Sequence, residues 1–432
     1  MKNSFLPACL IFLTACSPTG DGGQVRLAVL DPGHFHAALV QKSSIDGVSD
    51  TVKVYAPEGP ELRQYLSLIE SYNSRDRSPA SWYEDVYAGA DYLEKAVTER
   101  KADAVVLAGN NRLKSEYILE MVKAGYNVLA DKPMAIDTND FAMLEEAYRI
   151  ADSSGLVIYE LMTERYDTLN MTVRSLVNDR ECFGTMSEGT EDNPSVYMKS
   201  VHHFYKNVSE EPLTRPQWYY DVRQQGEGIA DVTTHLIDLV MWQCFPDRPV
   251  DFRKDVRILD AGHYPTRITP DQFRLSTGAD RFPDYLSGYV RDGILEVCSN
   301  GFILFRIDTL TVRLEVIWDF EAPAGTGDTF TAVYRGTEGL VEVVQDESTD
   351  YVKQVFITGR DGVRRMIDIP CGSRSGHEEH FNKVTEKFLE YLSGTDMPLW
   401  EKENTLSKYM ITTSAVKIAS AADRAPGRTV DR

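Results

Sequence analysis

The chain has 432 residues, with 46 basic and 66 acidic side chains and a formal net charge of −20. That length exceeds one ordinary domain and points to two or three, while 42% hydrophobic and 26% charged residues exclude disordered and fibrous classes. The acidic balance without a basic run excludes nucleic acid as a partner, no apolar run reaches the roughly 18 residues of a membrane-spanning helix, and six cysteines in a chain this long do not make a disulfide framework.

The chain opens on a targeting segment: Lys2, an apolar run over 5–12, then Leu13-Thr14-Ala15-Cys16. A cysteine directly after Leu-Thr-Ala looks like a bacterial lipobox. Residues 1–15 are therefore read as a signal peptide, Cys16 as the lipidated first residue of the mature protein, and 16–23 as a flexible tether. The expected location is outside the cytoplasm, as a bacterial lipoprotein at the periplasm or cell surface, anchored by its acyl chains without spanning the membrane. The segment has no twin arginine, which implies export in the unfolded state, before any cofactor is bound.

Residues 25–30 form a short β-rich run closed by Asp31-Pro32-Gly33, and a helical pattern follows over 36–41. Further on, 51–55 predicts a strand, 91–99 an amphipathic helix, and 104–107 a wholly apolar strand closed by Gly109-Asn110-Asn111. Then come a helix over 114–124 capped by Gly125, a strand over 127–130 ending at Asp131-Lys132-Pro133, a helix over 137–153 and a strand over 156–161. Apolar strands alternating with helices mean parallel βαβ units, a Rossmann-type doubly wound α/β domain placed at 24–158. Ligands of such sheets bind at the carboxyl ends of the strands, so the turns at Asp31, Asn110 and Asp131 should line one crevice. The dinucleotide loop G-x-G-x-x-G reads here Asp31-Pro32-Gly33-His34-Phe35-His36, keeping only the middle glycine. Asp31 would repel a phosphate unless it points away, and the acid expected about 20 residues on is replaced by Ala56.

Residues 159–432 predict an α+β domain with a large open, mostly antiparallel sheet. A strand over 196–205 carries His202 and His203, adjacent residues of which only one can face a site. Trp218, Tyr219 and Tyr220 precede the glycine-rich turn at 226–228, and Asp231 and His235, four apart, share a helix face. Residues 252–286 read as irregular, long β alternation follows over 300–319, 329–344 and 351–358, and helices close the chain at 381–392 and 405–422. Neither His202-His203 nor His377-Glu378-Glu379-His380 makes a convincing metal site, and no metal is expected.

Three stretches resemble the Gfo/Idh/MocA oxidoreductase family. The first, Val105-Val106-Leu107-Ala108-Gly109-Asn110-Asn111, is an apolar strand ending in a small polar turn. The second runs from Ala124-Gly125 to Asp131-Lys132-Pro133, where the family has Glu-Lys-Pro. The third is the glycine-rich turn leading into Asp231-x-x-x-His235-x-x-Asp238. The likeness spans roughly residues 25–425. It implies NAD or NADP held in the crevice by Asp31, Gly33, His34, Phe35, Asn110, Asp131 and Lys132. Oxidising a sugar carbinol needs a base for the hydroxyl proton and a positive or polar group on its oxygen. His235 near the Asp231 carboxylate can be that base and Lys132 can polarise the oxygen; the resemblance implies the same, with Asp231 orienting the site. A carbohydrate substrate is expected to meet Arg165, His202, His203, Trp218 and Tyr219. The resemblance also implies packing of the outer sheet face against another subunit, in a homodimer or higher oligomer. Three readings stay open: an oxidoreductase acting on a sugar, glycoside or cyclitol hydroxyl; a redox-neutral NAD-dependent glycosidase; and a non-catalytic sugar-binding or partner subunit that has lost coenzyme. The degenerate loop favours the last, and the Lys132–Asp231–His235 set opposes it.

Overall fold

The computed structural model describes residues 23–208, 211–369 and 377–423; Cys16 and the leader lie outside them. Six strands, β1 (Leu27–Leu30), β2 (Thr51–Ala56), β3 (Tyr83–Ala88), β4 (Ala104–Leu107), β5 (Asn127–Ala130) and β6 (Ile158–Glu160), form a sheet in the order β3-β2-β1-β4-β5-β6. All of its pairings are parallel. The order reverses between β1 and β4, the switch point at which such sheets open a crevice. Alternate strand residues face two helical layers. Leu27, Val29, Val54 and Val106 pack with Leu62, Tyr65 and Ile69 of α2 (Pro60–Asn73). Ala28, Leu30, Val105 and Val128 pack with Ile118 and Met121 of α4 (Lys114–Lys123) and Leu144 and Ala147 of α5 (Thr138–Ser154). The ends of α5 follow from local chemistry: the Asp137 carboxylate accepts from the backbone N–H of Asn139 and Asp140 at 2.7 and 2.9 Å, and Gly155 stops the helix at φ 65°.

Two differences from the sequence reading have plain causes. The helix after β1 is one turn, α1 (His36–Leu39), because the chain then tucks the fully buried Gln41 against Tyr65 and Glu84. No element is expected from the sequence over 60–88, where α2 buries Leu62, Tyr65 and Ile69 on one face and β3 is an edge strand whose exposed residues, Tyr83, Val86 and Ala88, do not alternate. The helix α3 (Tyr92–Glu99) completes this layer.

The second domain contains α6 (Thr168–Val177), β7 (Val196–Tyr205), a two-stranded hairpin of β8 (Asn207–Val208) and β9 (Glu211–Pro212), and short helices α7 (Val222–Gln225) and α8 (Gly228–Asp231) leading into α9 (Thr233–Cys244). Then come β10 (Val256–Ile268), α10 (Pro270–Thr277), β11 (Val290–Arg291), β12 (Ile294–Ile307), β13 (Leu310–Glu321), β14 (Thr329–Arg335), β15 (Leu340–Gln345), β16 (Gln354–Thr358) and β17 (Arg364–Ile367). They make a nine-stranded sheet, β10-β12-β13-β7-β14-β15-β16-β17 with β11 beside β12, antiparallel except where β13 meets β7. The segment 252–286, read as irregular, in fact holds the edge strand β10 and the helix α10: register shifts between Ile258 and Asp260 and between Tyr264 and Thr266 break the alternation of β10 and hide it. The chain after residue 158 also returns to the first sheet. In α11 (His377–Leu392), Phe381, Val384, Phe388 and Tyr391 join the core of Leu27 and Val29, and Leu406 and Tyr409 of α12 (Leu399–Asp423) join the opposite layer. Among the described residues no helix is long and apolar enough to cross a membrane.

Candidate active site

The carboxyl ends of β1, β4 and β5 meet in one crevice. The His34 amide donates to the Ala108 carbonyl at 3.1 Å and the Asp131 amide to Leu107 at 2.8 Å. Gly109 has no room for a side chain, since a Cβ there would stand 2.1 Å from the Asp31 carbonyl oxygen, and a Cβ on Gly33 would press the Asn110 amide at 3.3 Å. Two bare backbone turns therefore face each other at the switch point, which is the shape a dinucleotide's phosphates require. Asp31 points away from that space: its carboxylate accepts from the Tyr117 hydroxyl at 3.0 Å, and burial raises its pKa, so the expected repulsion is weakened. Phe35 stands partly exposed on the same loop. The Asn110 side chain donates to Gln224 and that of Asn111 to the Gln225 carbonyl, both at 2.8 Å, tying the crevice to α7. The residues present thus fit a dinucleotide, with Gly33, His34 and Asn110 placed to hold it.

The glycine-rich turn at 226–228 delivers the partner of Lys132. Gly228 lies so close to β12 that a Cβ would meet the Ser299 carbonyl oxygen at 1.8 Å, and this approach seats Asp231 under the crevice. Lys132 Nζ donates to Asp231 Oδ1 at 2.6 Å, and Gln225 Nε2 to Asp231 Oδ2 at 3.0 Å. Burial acts to lower the Lys132 pKa, but the carboxylates of Asp231 and Asp131 overcome it and the net shift is upward. Burial acts to raise Asp231, and Lys132 overcomes that, so Asp231 is lowered. The two are an ion pair at neutral pH. One turn along, His235 lines a cavity of about 440 Å3 together with Glu164, Ser200, His202, Asp328 and Lys353.

Asp131 is buried, with Oδ2 lying 2.9 Å from His36 Nδ1 and 3.4 Å from His34 Nδ1, and Oδ1 accepting from the Lys132 amide at 3.0 Å. Burial opposes its ionisation, but the histidines and Lys114 hold its pKa well below the ordinary carboxylate value. Lys114 is a crevice residue that the sequence reading treats only as a helix start. Its ammonium is buried, donates to Asn111 Oδ1 at 2.5 Å, and is pushed by burial down to a pKa of about 8. A cation at the first position of a helix, where the dipole disfavours it, is the signal that could have found it.

The expected substrate residues divide. His202 lines the cavity, its Nε2 2.7 Å from Ser200 Oγ, with burial lowering its pKa. His203 is more deeply buried, its Nδ1 2.9 Å from Asp328 Oδ1. Asp328, just before β14, lies at the strand end and reaches both neighbours, with His202 Nδ1 at 3.6 Å. Arg165 stands outside the cavity lining. Its guanidinium is fully engaged with Asp238 at 2.6 and 2.7 Å and with Glu401 at 2.6 Å. Trp218 and Tyr219 are packed into the core with Phe204, Tyr220 and Trp318, and Arg215 lies 4.3 Å above the Tyr219 ring. Tyr219 also borders a small crevice with Gln225 and Asp231, whereas Trp218 does not.

The profile of the oxidoreductase family's NAD-binding Rossmann fold matches residues 29–161, and that of an oxidoreductase C-terminal domain matches 172–366 and 360–420. The chain belongs to the Gfo/Idh/MocA oxidoreductase family. It is an NAD(P)-dependent oxidoreductase, with a Rossmann domain for NAD or NADP and a second domain built on a mixed, mostly antiparallel sheet. A solved chain from Parabacteroides merdae ATCC 43184, classed with the oxidoreductases, is 42% identical over 93% of this chain and 98% of that one, with a TM-score of 0.91. The scyllo-inositol 2-dehydrogenase (NADP(+)) IolW of Bacillus subtilis (strain 168) is 24% identical over 151 residues, which is 34% of this chain and only 38% of that protein's length. KijD10, a 3-ketoreductase from Actinomadura kijaniata solved with TDP-benzene and NADP, is 15% identical over 92% of this chain and 98% of that one, with a TM-score of 0.57, and shares the fold.

Proposed function

We propose that the protein oxidises a ring hydroxyl of a sugar, glycoside or cyclitol, or reduces the corresponding ketone, at the junction of the crevice and the cavity lined by His235. The observation that carries this is the buried Lys132–Asp231 ion pair at 2.6 Å, one helical turn from His235. Bound NAD(P) supplies the hydride acceptor or donor. Lys132, with its pKa raised, keeps its proton at neutral pH and cannot shuttle it. Its part is a fixed positive charge and hydrogen-bond donor for the substrate oxygen as that becomes an alkoxide. Proton transfer falls to His235, whose imidazole is the group suited to gain and lose a proton near neutrality. Asp231 is a positioning residue: it holds the Lys132 ammonium in place and ionised. The polar walls of the cavity, from His202, Asp328, Glu164 and Lys353, suit a polyhydroxylated ring. The activities named for the inositol dehydrogenase and the ketoreductase agree with that substrate class.

The leader and Cys16 support export and anchoring as a lipoprotein. The outer face of the nine-stranded sheet, with partly exposed Tyr197, Phe302, Val333 and Phe356, supports assembly of the chain into a homo-oligomer.

Denaturing the purified protein should release NAD(H) or NADP(H), identified by mass spectrometry. His235→Ala should lower turnover of a responding sugar or inositol by about 10²–10⁴-fold while the coenzyme stays bound. No released nucleotide, together with no thermal protection by added coenzyme, would overturn the reading; loss of coenzyme in the His235 variant would overturn the role given to that residue.

A further inference from the structure

We propose that His34, His36 and Asp131 form a binding site for a divalent transition metal of the zinc class, built into the loop where the phosphate-binding pattern would carry its glycines. His34 and His36 flank Phe35 after β1, and Asp131 arrives from the end of β5, 95 positions from His36. Their ligand atoms all lie within 4.8 Å of one another. His36 Nδ1 and His34 Nδ1 stand 2.9 and 3.4 Å from the same carboxylate oxygen, Asp131 Oδ2. Metal–nitrogen and metal–oxygen bonds of about 2.0–2.2 Å in a tetrahedral site put neighbouring ligand atoms about 3.3–3.6 Å apart. Both nitrogen–oxygen separations are thus near the spacing found around an ion, and the two histidine nitrogens lie within 4.8 Å of each other, close enough for one ion to bridge after local adjustment. The two imidazoles meet edge to face, with centroids 4.1 Å apart and ring planes at 89°.

Two further observations favour an ion over a plain hydrogen-bonded cluster. The Nδ1 of His34 is buried and, at 3.4 Å from Asp131 Oδ2, makes no well-formed hydrogen bond, a state that buried polar atoms seldom keep. The carboxylate is also already oriented from behind, through the Lys132 amide on Oδ1, as outer partners orient metal ligands. The nearby ammonium groups are committed elsewhere, Lys132 to Asp231 and Lys114 to Asn111, so neither fills the position between the histidines. The contrast is His202, His203 and Asp328, where Lys206 Nζ sits 2.7 Å from Asp328 Oδ2 and takes the cation's place. Two histidines and one carboxylate leave at least one coordination position open.

The site is tested on the full mature chain, purified without a histidine tag, stripped by chelator and free of added coenzyme. Calorimetric titration with Zn²⁺ should show one saturable site per chain, and Co²⁺ should give the intense visible bands of a low-coordinate ion. His36→Ala and Asp131→Asn should each weaken binding by at least about 10-fold. His34→Gln, at a half-buried position that tolerates a polar side chain, should do the same with an unchanged circular dichroism spectrum. Absence of saturable binding to the wild type, or affinity unchanged in all three variants, would overturn the site. Released nucleotide is assayed on a separate sample, so a failure of the coenzyme reading and a failure of the metal site show up independently.

Discussion

Two sets of buried charges cross between the Rossmann domain and the second domain, and they are built in opposite ways. In the first, Arg165 and Lys408 meet Glu160, Asp238 and Glu401, each cation touching two carboxylates, with side-chain exposures of 0–8%. Tyr409 adds its hydroxyl to Glu160. In the second, Lys132 meets Asp231 alone, Lys114 meets only the Asn111 amide, and Asp231 borders a small crevice, one helical turn from His235 on the larger cavity. Burying a charge without full pairing is costly. The closed set has little donor or acceptor capacity left over, so its role is to clamp β6, α9 and α12 together. The open set keeps capacity unused at a cavity edge, which is where a ligand would complete it.

Arg165→Met tests the clamp most severely. It leaves Asp238 and Glu401 buried with one cation fewer, and unfolding stability in denaturant should fall by about 3–5 kcal/mol, with turnover per folded molecule nearly unchanged. If KM for the sugar rises while stability holds, Arg165 is a substrate residue, as its place after β6 suggests from sequence. Lys132→Met tests the open set. Removing one preorganised donor from a developing alkoxide costs about 10²–10³-fold in kcat, with a small change in KM. The buried Asp231, without its cation, should also titrate at higher pH than in the wild type, since Lys132 is what lowers it. Turnover within a few-fold of wild type would mean that the pair is as structural as the clamp.

How far this contrast could be read in advance depended on how local each feature is. The strands β1, β4 and β5 and the Lys132, Asp231 and His235 positions are carried by short apolar runs and compact motifs, so they stand out in the chain. The clamp is not local: the partners of Arg165 lie 73 and 236 positions away, and nothing near residue 165 says that they will arrive. His34 and His36 are visible as a pair, but Asp131 reaches them only when β1 and β5 take their places on either side of β4. The aromatic run at Trp218 and Tyr219 looks equally suited to stacking on a sugar and to packing. Burial in the core against Tyr219 decides for packing at Trp218, and Tyr219, though it meets Phe204 and Trp318, keeps an edge near Asp231. Strand β10 is hidden by its bulges and β3 by its exposure, both physical reasons for a weak period.

The difference between the two sets should also appear in their response to pH, through their buried lysines. Lys408 sits between two carboxylates, whereas Lys114 has an amide, and burial drives the Lys114 pKa from 10.5 to about 8. Between those values the unfolded chain holds a proton that the folded chain has released, so unfolding stability rises with pH across that window. Below about pH 8 both states hold the proton, and the folded state carries the whole penalty of charging a buried amine, on the order of 3 kcal/mol. Lys114→Met removes this group and its titration. The loss of the Asn111 partner shifts the variant's stability by an amount that does not depend on pH, so only the slope of the difference is diagnostic. Wild-type stability minus variant stability, from denaturant unfolding at a series of pH values, should climb between about pH 8 and pH 10.5 and be flat below. A flat difference throughout would mean that the folded protein keeps Lys114 charged by means of its neighbouring carboxylates, and that the open set is better compensated than its contacts indicate.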